Sequence, residues 1–128
     1  MALTKSIRTA EDAYLYARDV IKGRWLEGEA MIATHPKYAY WYARYIIKCR
    51  FPEGEPIIAT SLIWSYFYAR DVIKGRFPEG EATILTSHVW AYRYARDIIK
   101  GRWLDGELQI IFSEYATDYA ELCGMTFS

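Results

Sequence analysis

Ala13-Tyr14-Leu15-Tyr16-Ala17-Arg18-Asp19-Val20-Ile21-Lys22-Gly23-Arg24-Trp25-Leu26-Glu27-Gly28-Glu29-Ala30-Met31-Ile32-Ala33-Thr34 decides the fold, because it recurs. Near-copies begin at Ala39, Ser65 and Ala91, so the period is 26 residues with no insertion. A fixed period of this kind marks a repeat architecture, in which each unit buries its apolar face against its neighbours.

Each copy reads as two helices. In the first half Ala13, Tyr14, Ala17, Val20 and Ile21 fall at i, i+1, i+4, i+7 and i+8, one face of an α-helix. Thr9 with Asp12 approximates a capping box, and His35, Ser61 and Ser87 hold the matching place in later copies. Pro36 suits a first helical turn, where its missing N–H costs nothing. On an α-helical wheel Arg18 and Lys22 form a polar stripe and Asp19 points away from both. Gly23 is expected to supply the left-handed residue that ends the helix. The second helix starts at Leu26, Pro52, Pro78 or Leu104, carries acids in its first turn and ends near Thr34.

The resulting expectation is an all-α fold: a compact α-solenoid of four helix-turn-helix repeats, about 9–34, 35–60, 61–86 and 87–112, in one domain of residues 1–128. Residues 1–8 read as a short lead-in that frays. Residues 113–128 read as a degenerate capping unit. There Tyr119-Ala120 echoes Tyr94-Ala95, one residue out of register, with Glu114, Asp118 and Glu121 turning the outer side polar.

The 16 basic and 16 acidic residues cancel, which argues against general nucleic-acid binding. No apolar run approaches the ~20 residues of a membrane span, and no signal peptide is apparent at the N-terminus. Both point to an intracellular protein. Cys49 and Cys123 form no metal-ligand pattern and read as buried or idle thiols. His35 and His88 stand in no nucleophile motif, and the recurring Glu27 and Glu29 suit a structural ladder better than one acid–base site. The chain therefore reads as non-enzymatic, with no cofactor and no metal.

Ten places are identical in all four copies: in the first, Tyr14, Tyr16, Ala17, Arg18, Ile21, Lys22, Arg24, Gly28, Glu29 and Ile32. They carry 12 of the 16 basic residues, and eight of the 16 acids lie in the facing ladders. Inter-repeat ion pairing is the first reading of Arg18, Arg24, Glu29 and their copies. The tyrosine ladders read as core. An anion site is the alternative, built from Arg18, Lys22, Arg24 and Trp25 with the equivalent Arg44, Arg50, Arg70, Arg76, Arg96 and Arg102, since guanidinium and aromatic faces hold a phosphate and stack a base. The places where copies differ are better candidates for a partner surface: Tyr38, Trp41, Tyr45, Trp64, Phe67, Trp90 and Arg93. Large aromatics and arginine dominate binding hot spots.

The segment from Tyr16 to Trp25, and again Phe77-Pro78-Glu79-Gly80-Glu81, resembles a tandem repeat of bacteriophage and phage-derived proteins. The resemblance covers residues 9–112, departing at Leu26, Leu104, Tyr45 and Cys49. It implies a small phage protein in the cytoplasm of an infected bacterium. Three readings follow: docking on a host or phage protein, with inhibition of a defence factor as one outcome; sequestering a nucleotide-type anionic ligand in Arg/aromatic pockets; and self-assembly into a scaffold or homo-oligomer.

Overall fold

Four long helices and four short ones alternate, because every copy offers a capped apolar stripe followed by an acidic turn. The computed structural model describes residues 6–124, so the first five residues of the lead-in and 125–128 of the capping unit lie outside the described residues. All regular structure described is helical.

Each long helix is composite, an α-helix that widens into a π-helix. They are α1 (Ala10–Tyr16, then Ala17–Ile21), α3 (Pro36–Trp41, then Tyr42–Ile47), α5 (Leu62–Tyr68, then Ala69–Ile73) and α7 (His88–Tyr94, then Ala95–Ile99). The short helices are α2 (Leu26–Gly28 as a 3-10 turn, then Glu29–Ile32), α4 (Pro52–Gly54, then Glu55–Ile58), α6 (Pro78–Ile84) and α8 (Leu104–Gly106, then Glu107–Ile111). A last helix, α9, spans Ala116–Cys123. Each long helix packs on the short helix after it and on the next long helix, and α9 packs on α8. None of these helices is long enough to persist alone, so packing supplies their stability.

The caps follow the sequence. Thr9 and Asp12 close a capping box, the His35 ring accepts from the Lys37 N–H, and the Ser61 and Ser87 hydroxyls accept from the N–H of Trp64 and Trp90. The C-terminal ends do not. The left-handed residue is the lysine, with φ of 59° at Lys22, 55° at Lys48, 60° at Lys74 and 62° at Lys100. The π-turn makes the lysine N–H reach the carbonyl five residues back, Ala17 for Lys22 at 2.7 Å, and the next N–H also falls on that carbonyl. The chain must reverse one residue earlier than an α-helical ending would require. Gly23, Gly75 and Gly101 are therefore free of the left-handed constraint, and Cys49 occupies their place without strain.

Two further expectations are corrected. Successive side chains in a π-turn fan by less than the 100° of an α-helix, so Arg18 and Asp19 lie side by side and pair through two bonds of 2.7 and 3.0 Å. Val20 and Ile21 are exposed rather than core, because no described helix precedes α1 to cover them; their internal counterparts Val72 and Ile73 are half-buried.

The core is a column of recurring side chains. Ala17, Ala43, Ala69 and Ala95 are buried, as are Ile32, Ile58, Ile84 and Ile110. The Phe51 ring packs against Gly54, where an added Cβ would come within 2.5 Å of it. Only glycine permits that approach.

Candidate functional site

The identical places build a polar joint between neighbouring copies. Arg50 binds Glu55 with two bonds of 2.8 and 3.0 Å, and Glu55 is buried. The Tyr68 hydroxyl, from the next long helix, donates to the same carboxylate at 2.6 Å and accepts from the Phe51 N–H at 2.8 Å. Arg24–Glu29–Tyr42 and Arg76–Glu81–Tyr94 repeat this arrangement. These ion pairs lie within one copy, and tyrosine, not arginine, makes the crossing. Burial opposes ionisation of Glu55, but the Arg50 and Tyr68 bonds outweigh it and hold the carboxyl below its ordinary 4.5. Burial, followed by the bond to Glu55, pushes the Tyr68 phenol well above its usual range.

A second crossing links the other tyrosine ladder. The Tyr40 hydroxyl donates to Asp71 at 2.7 Å, and Tyr66 donates to Asp97 in the same way. Burial and the Asp71 bond push Tyr40 up to about 12. The equivalent acceptor for Tyr14 would stand at residue 45, where Tyr45 replaces the aspartate. Arg44 has no acidic neighbour in its own copy and reaches across to Asp71 at 2.6 Å. Sequence reading missed this ladder, although the aspartate lost at residue 45 was its visible trace.

The anion-site candidates divide. Arg24, Arg50, Arg76 and Arg102 are committed to the glutamate joints. Arg18, Arg70 and Arg96 each pair with the adjacent aspartate, and Arg44 with Asp71. Trp25 sits apart, in a cleft with Tyr16 and Met31. Lys22, Lys48, Lys74 and Lys100 make no ion pair among the described residues, and they line three clefts at equivalent places between copies. The first, about 250 Å³, is bordered by Arg18, Lys22, Tyr45 and Lys48. In the other two an aspartate, Asp71 or Asp97, joins the lining.

Six of the seven partner-surface candidates come together. Tyr38 meets Trp41 edge-on at 5.6 Å, Trp41 meets Trp64 at 6.5 Å, Trp64 meets Phe67 at 5.8 Å, and Phe67 meets Trp90 at 6.3 Å. The Arg93 guanidinium lies 4.8 Å over the Trp90 ring. This band crosses α3, α5 and α7, and its rings are half-buried, resting on Tyr14, Tyr40 and Tyr66. Cations fringe it: Lys37 lies over both Tyr38 and Trp41, and Arg70 over Phe67. Sequence reading did not single out Lys37. Tyr45 stands apart, exposed beside the lysine clefts under the Arg44 guanidinium.

His35 is spent as a cap, and His88 pairs with Glu114 at 3.0 Å. Cys49 is exposed, not buried, and both thiols are free. Among the described residues no cluster of His, Cys, Asp or Glu could hold a metal ion, and no helix is long and apolar enough to cross a membrane. No protein-family model, curated protein or solved structure matches the chain.

Proposed function

We propose that residues 9–112 form a four-repeat α-solenoid, closed from residue 113 by a degenerate unit, that docks a protein partner on its aromatic band without catalysing a reaction. The solenoid reading rests on the return of one Tyr–Glu–Arg joint at the 26-residue period. The docking reading rests on the band itself. Places where the copies differ, scattered over the sequence, meet as one strip of half-exposed rings with cations stacked on them. Rigid aromatic area with arginine at its edge is the composition of interface hot spots. Helical repeats carry such extended surfaces.

The lysines and stacked guanidinium groups favour a partner segment that combines apolar side chains with acidic ones. The setting, a phage protein in the cytoplasm of an infected bacterium acting on a host or phage protein such as a defence factor, comes from the repeat resemblance. Affinity purification of the wild-type chain and of Trp41→Ala/Arg93→Ala from infected cells tests the reading. A stoichiometric partner lost from the variant supports it, and equal recovery with both overturns it.

A second reading has one observation in its favour. In the cleft of Arg18, Lys22, Lys48 and Tyr45 no aspartate joins the lining, as Asp71 and Asp97 do in the other two, and an exposed ring stands beside two ammonium groups that make no ion pair among the described residues. A small anionic ligand with a stackable base suits that set. Release of a molecule absorbing at about 260 nm on denaturation would favour it, and its absence from protein purified out of infected cells would remove it.

A further inference from the structure

The joint that links neighbouring copies differs at the first and last copies. Tyr42, Tyr68 and Tyr94 each donate to a buried glutamate at 2.6 Å and accept the N–H of an aromatic residue. Tyr16 is the same residue in the same motif, yet its hydroxyl meets no hydrogen-bond partner among the described residues. It borders a cleft of about 520 Å³ whose other walls include Ile7, Ile21, Trp25 and Met31. By its place in the repeat, Tyr16 stands where Tyr42, Tyr68 and Tyr94 each meet the turn of the copy before.

The tail offers that turn. Arg102-Trp103-Leu104-Asp105-Gly106-Glu107 matches Arg24-Trp25-Leu26-Glu27-Gly28-Glu29, the turn that seats Tyr42. In the single chain Tyr119 of α9 fills the seat, accepting the Trp103 N–H at 2.9 Å and donating to Glu107 at 2.9 Å. The fit is poorer than inside. The Glu107 side chain is 15% exposed against 7% for Glu55, and its tyrosine bond is longer than the internal 2.6 Å. Among the described residues the buried indole N–H of Trp103 meets no hydrogen-bond partner. A buried unmet donor is a standing cost that a better-fitting neighbour need not carry. The eight residues of α9 are also too few to be helical unaided.

We propose that the head of one copy and the tail of another are complementary, and that α9 is a displaceable plug: α1 and Tyr16 of a second copy compete with α9 and Tyr119 for Glu107 and the Trp103 N–H. The contact is heterologous, so each added copy presents a fresh head or tail and association is open-ended. This inference does not depend on the aromatic-band reading, because it uses neither the band nor its candidate residues.

Light scattering coupled to size exclusion tests it on the full-length chain at several concentrations. The wild type is expected to hold a mass near 15.0 kDa, whereas Tyr119→Ala is expected to rise with concentration to twice that mass and beyond. Adding Ile21→Glu, an exposed change at the head, should return Tyr119→Ala to the single-chain mass. Tyr119→Phe, which keeps the ring in its seat, guards against loss of fold and should associate in the same Ile21-dependent way, to a smaller extent. Monomeric behaviour of a Tyr119 variant that keeps its helical circular dichroism overturns the proposal. So does association that Ile21→Glu leaves unchanged.

Discussion

Removing one oxygen atom from equivalent tyrosines should have very different consequences, depending on whether a neighbouring joint is present. Tyr68→Phe deletes a hydroxyl that donates to Glu55 and accepts from the Phe51 N–H, with all three residues buried. A bond to a charged acceptor contributes about 1.5–3 kcal/mol, and a buried N–H left without an acceptor costs about 1–3 kcal/mol. The two losses share one group and do not add fully, so the expected destabilisation is about 2–4 kcal/mol. Tyr16→Phe makes the same chemical change at the half-exposed head, where no hydrogen-bond partner among the described residues is lost, and should stay within about 0.5 kcal/mol of wild type. Urea unfolding followed by both far-UV circular dichroism and tryptophan fluorescence measures the difference, and two probes reveal any copy-by-copy unfolding. Equal stability of the two variants would refute the claim that Tyr–Glu crossings hold the copies together.

The other predictions address the helix ends, the ion pairs and pH. Lys74→Gly should stabilise by about 0.5–1 kcal/mol: a left-handed lysine costs about 1–2 kcal/mol, partly offset by the unfolded-state freedom of glycine. Gly75→Ala should be neutral or slightly stabilising, since that residue is not left-handed and an added Cβ meets nothing closer than 3.9 Å; thermal melts of both variants check the two signs. Arg76→Ala leaves Glu81 with only the Tyr94 bond and should destabilise by about 1–3 kcal/mol, reduced towards the lower figure because the arginine is half-exposed. For pH, burial opposes ionisation of Glu55 and Glu81, but their arginine and tyrosine bonds lower both carboxyls below 4.5. That stabilisation is present above the unfolded value and is lost as pH falls through the folded one. Tyr40 is raised from 10.0 to about 12, so its contribution is present below 10.0 and is lost as pH rises towards 12. Urea midpoints should therefore plateau from about pH 5 to about pH 9 and fall on both sides, with Glu81→Gln flattening the acid limb.

Much of the fold was legible because it rests on local chemistry that repeats. Thr9, Ser61 and Ser87 announce their helices, Pro52 and Pro78 mark first turns, and the isoleucine at the end of each short helix is buried wherever it occurs. The π-turns were not legible, since a change of hydrogen-bond register from four residues to five leaves no compositional mark. Two features downstream of that register were misread with it: the left-handed lysine and the Arg18–Asp19 pair. Half of the charge logic was visible. Counting acids and bases shows that the ladders match, but only the packing of α5 on α4 shows that Tyr68 carries the link. The members of the aromatic band read in the sequence only as a list of variable places; their continuity from Tyr38 to Trp90 is a property of how α3, α5 and α7 lie side by side. Tyr45, which looked like a member, stands at the lysine clefts because its place follows the Arg ladder.

Stacking of the copies and the proposed docking of a partner rest on different residues, and one paired measurement tests that division. Trp41→Ala/Arg93→Ala and Tyr68→Phe are each assayed for partner recovery from infected cells and for unfolding free energy. The band variant is expected to lose the partner while keeping its fold, and the joint variant to lose stability while, below its unfolding transition, retaining the partner. Partner retention by the band variant, or partner loss confined to the joint variant, would contradict that division.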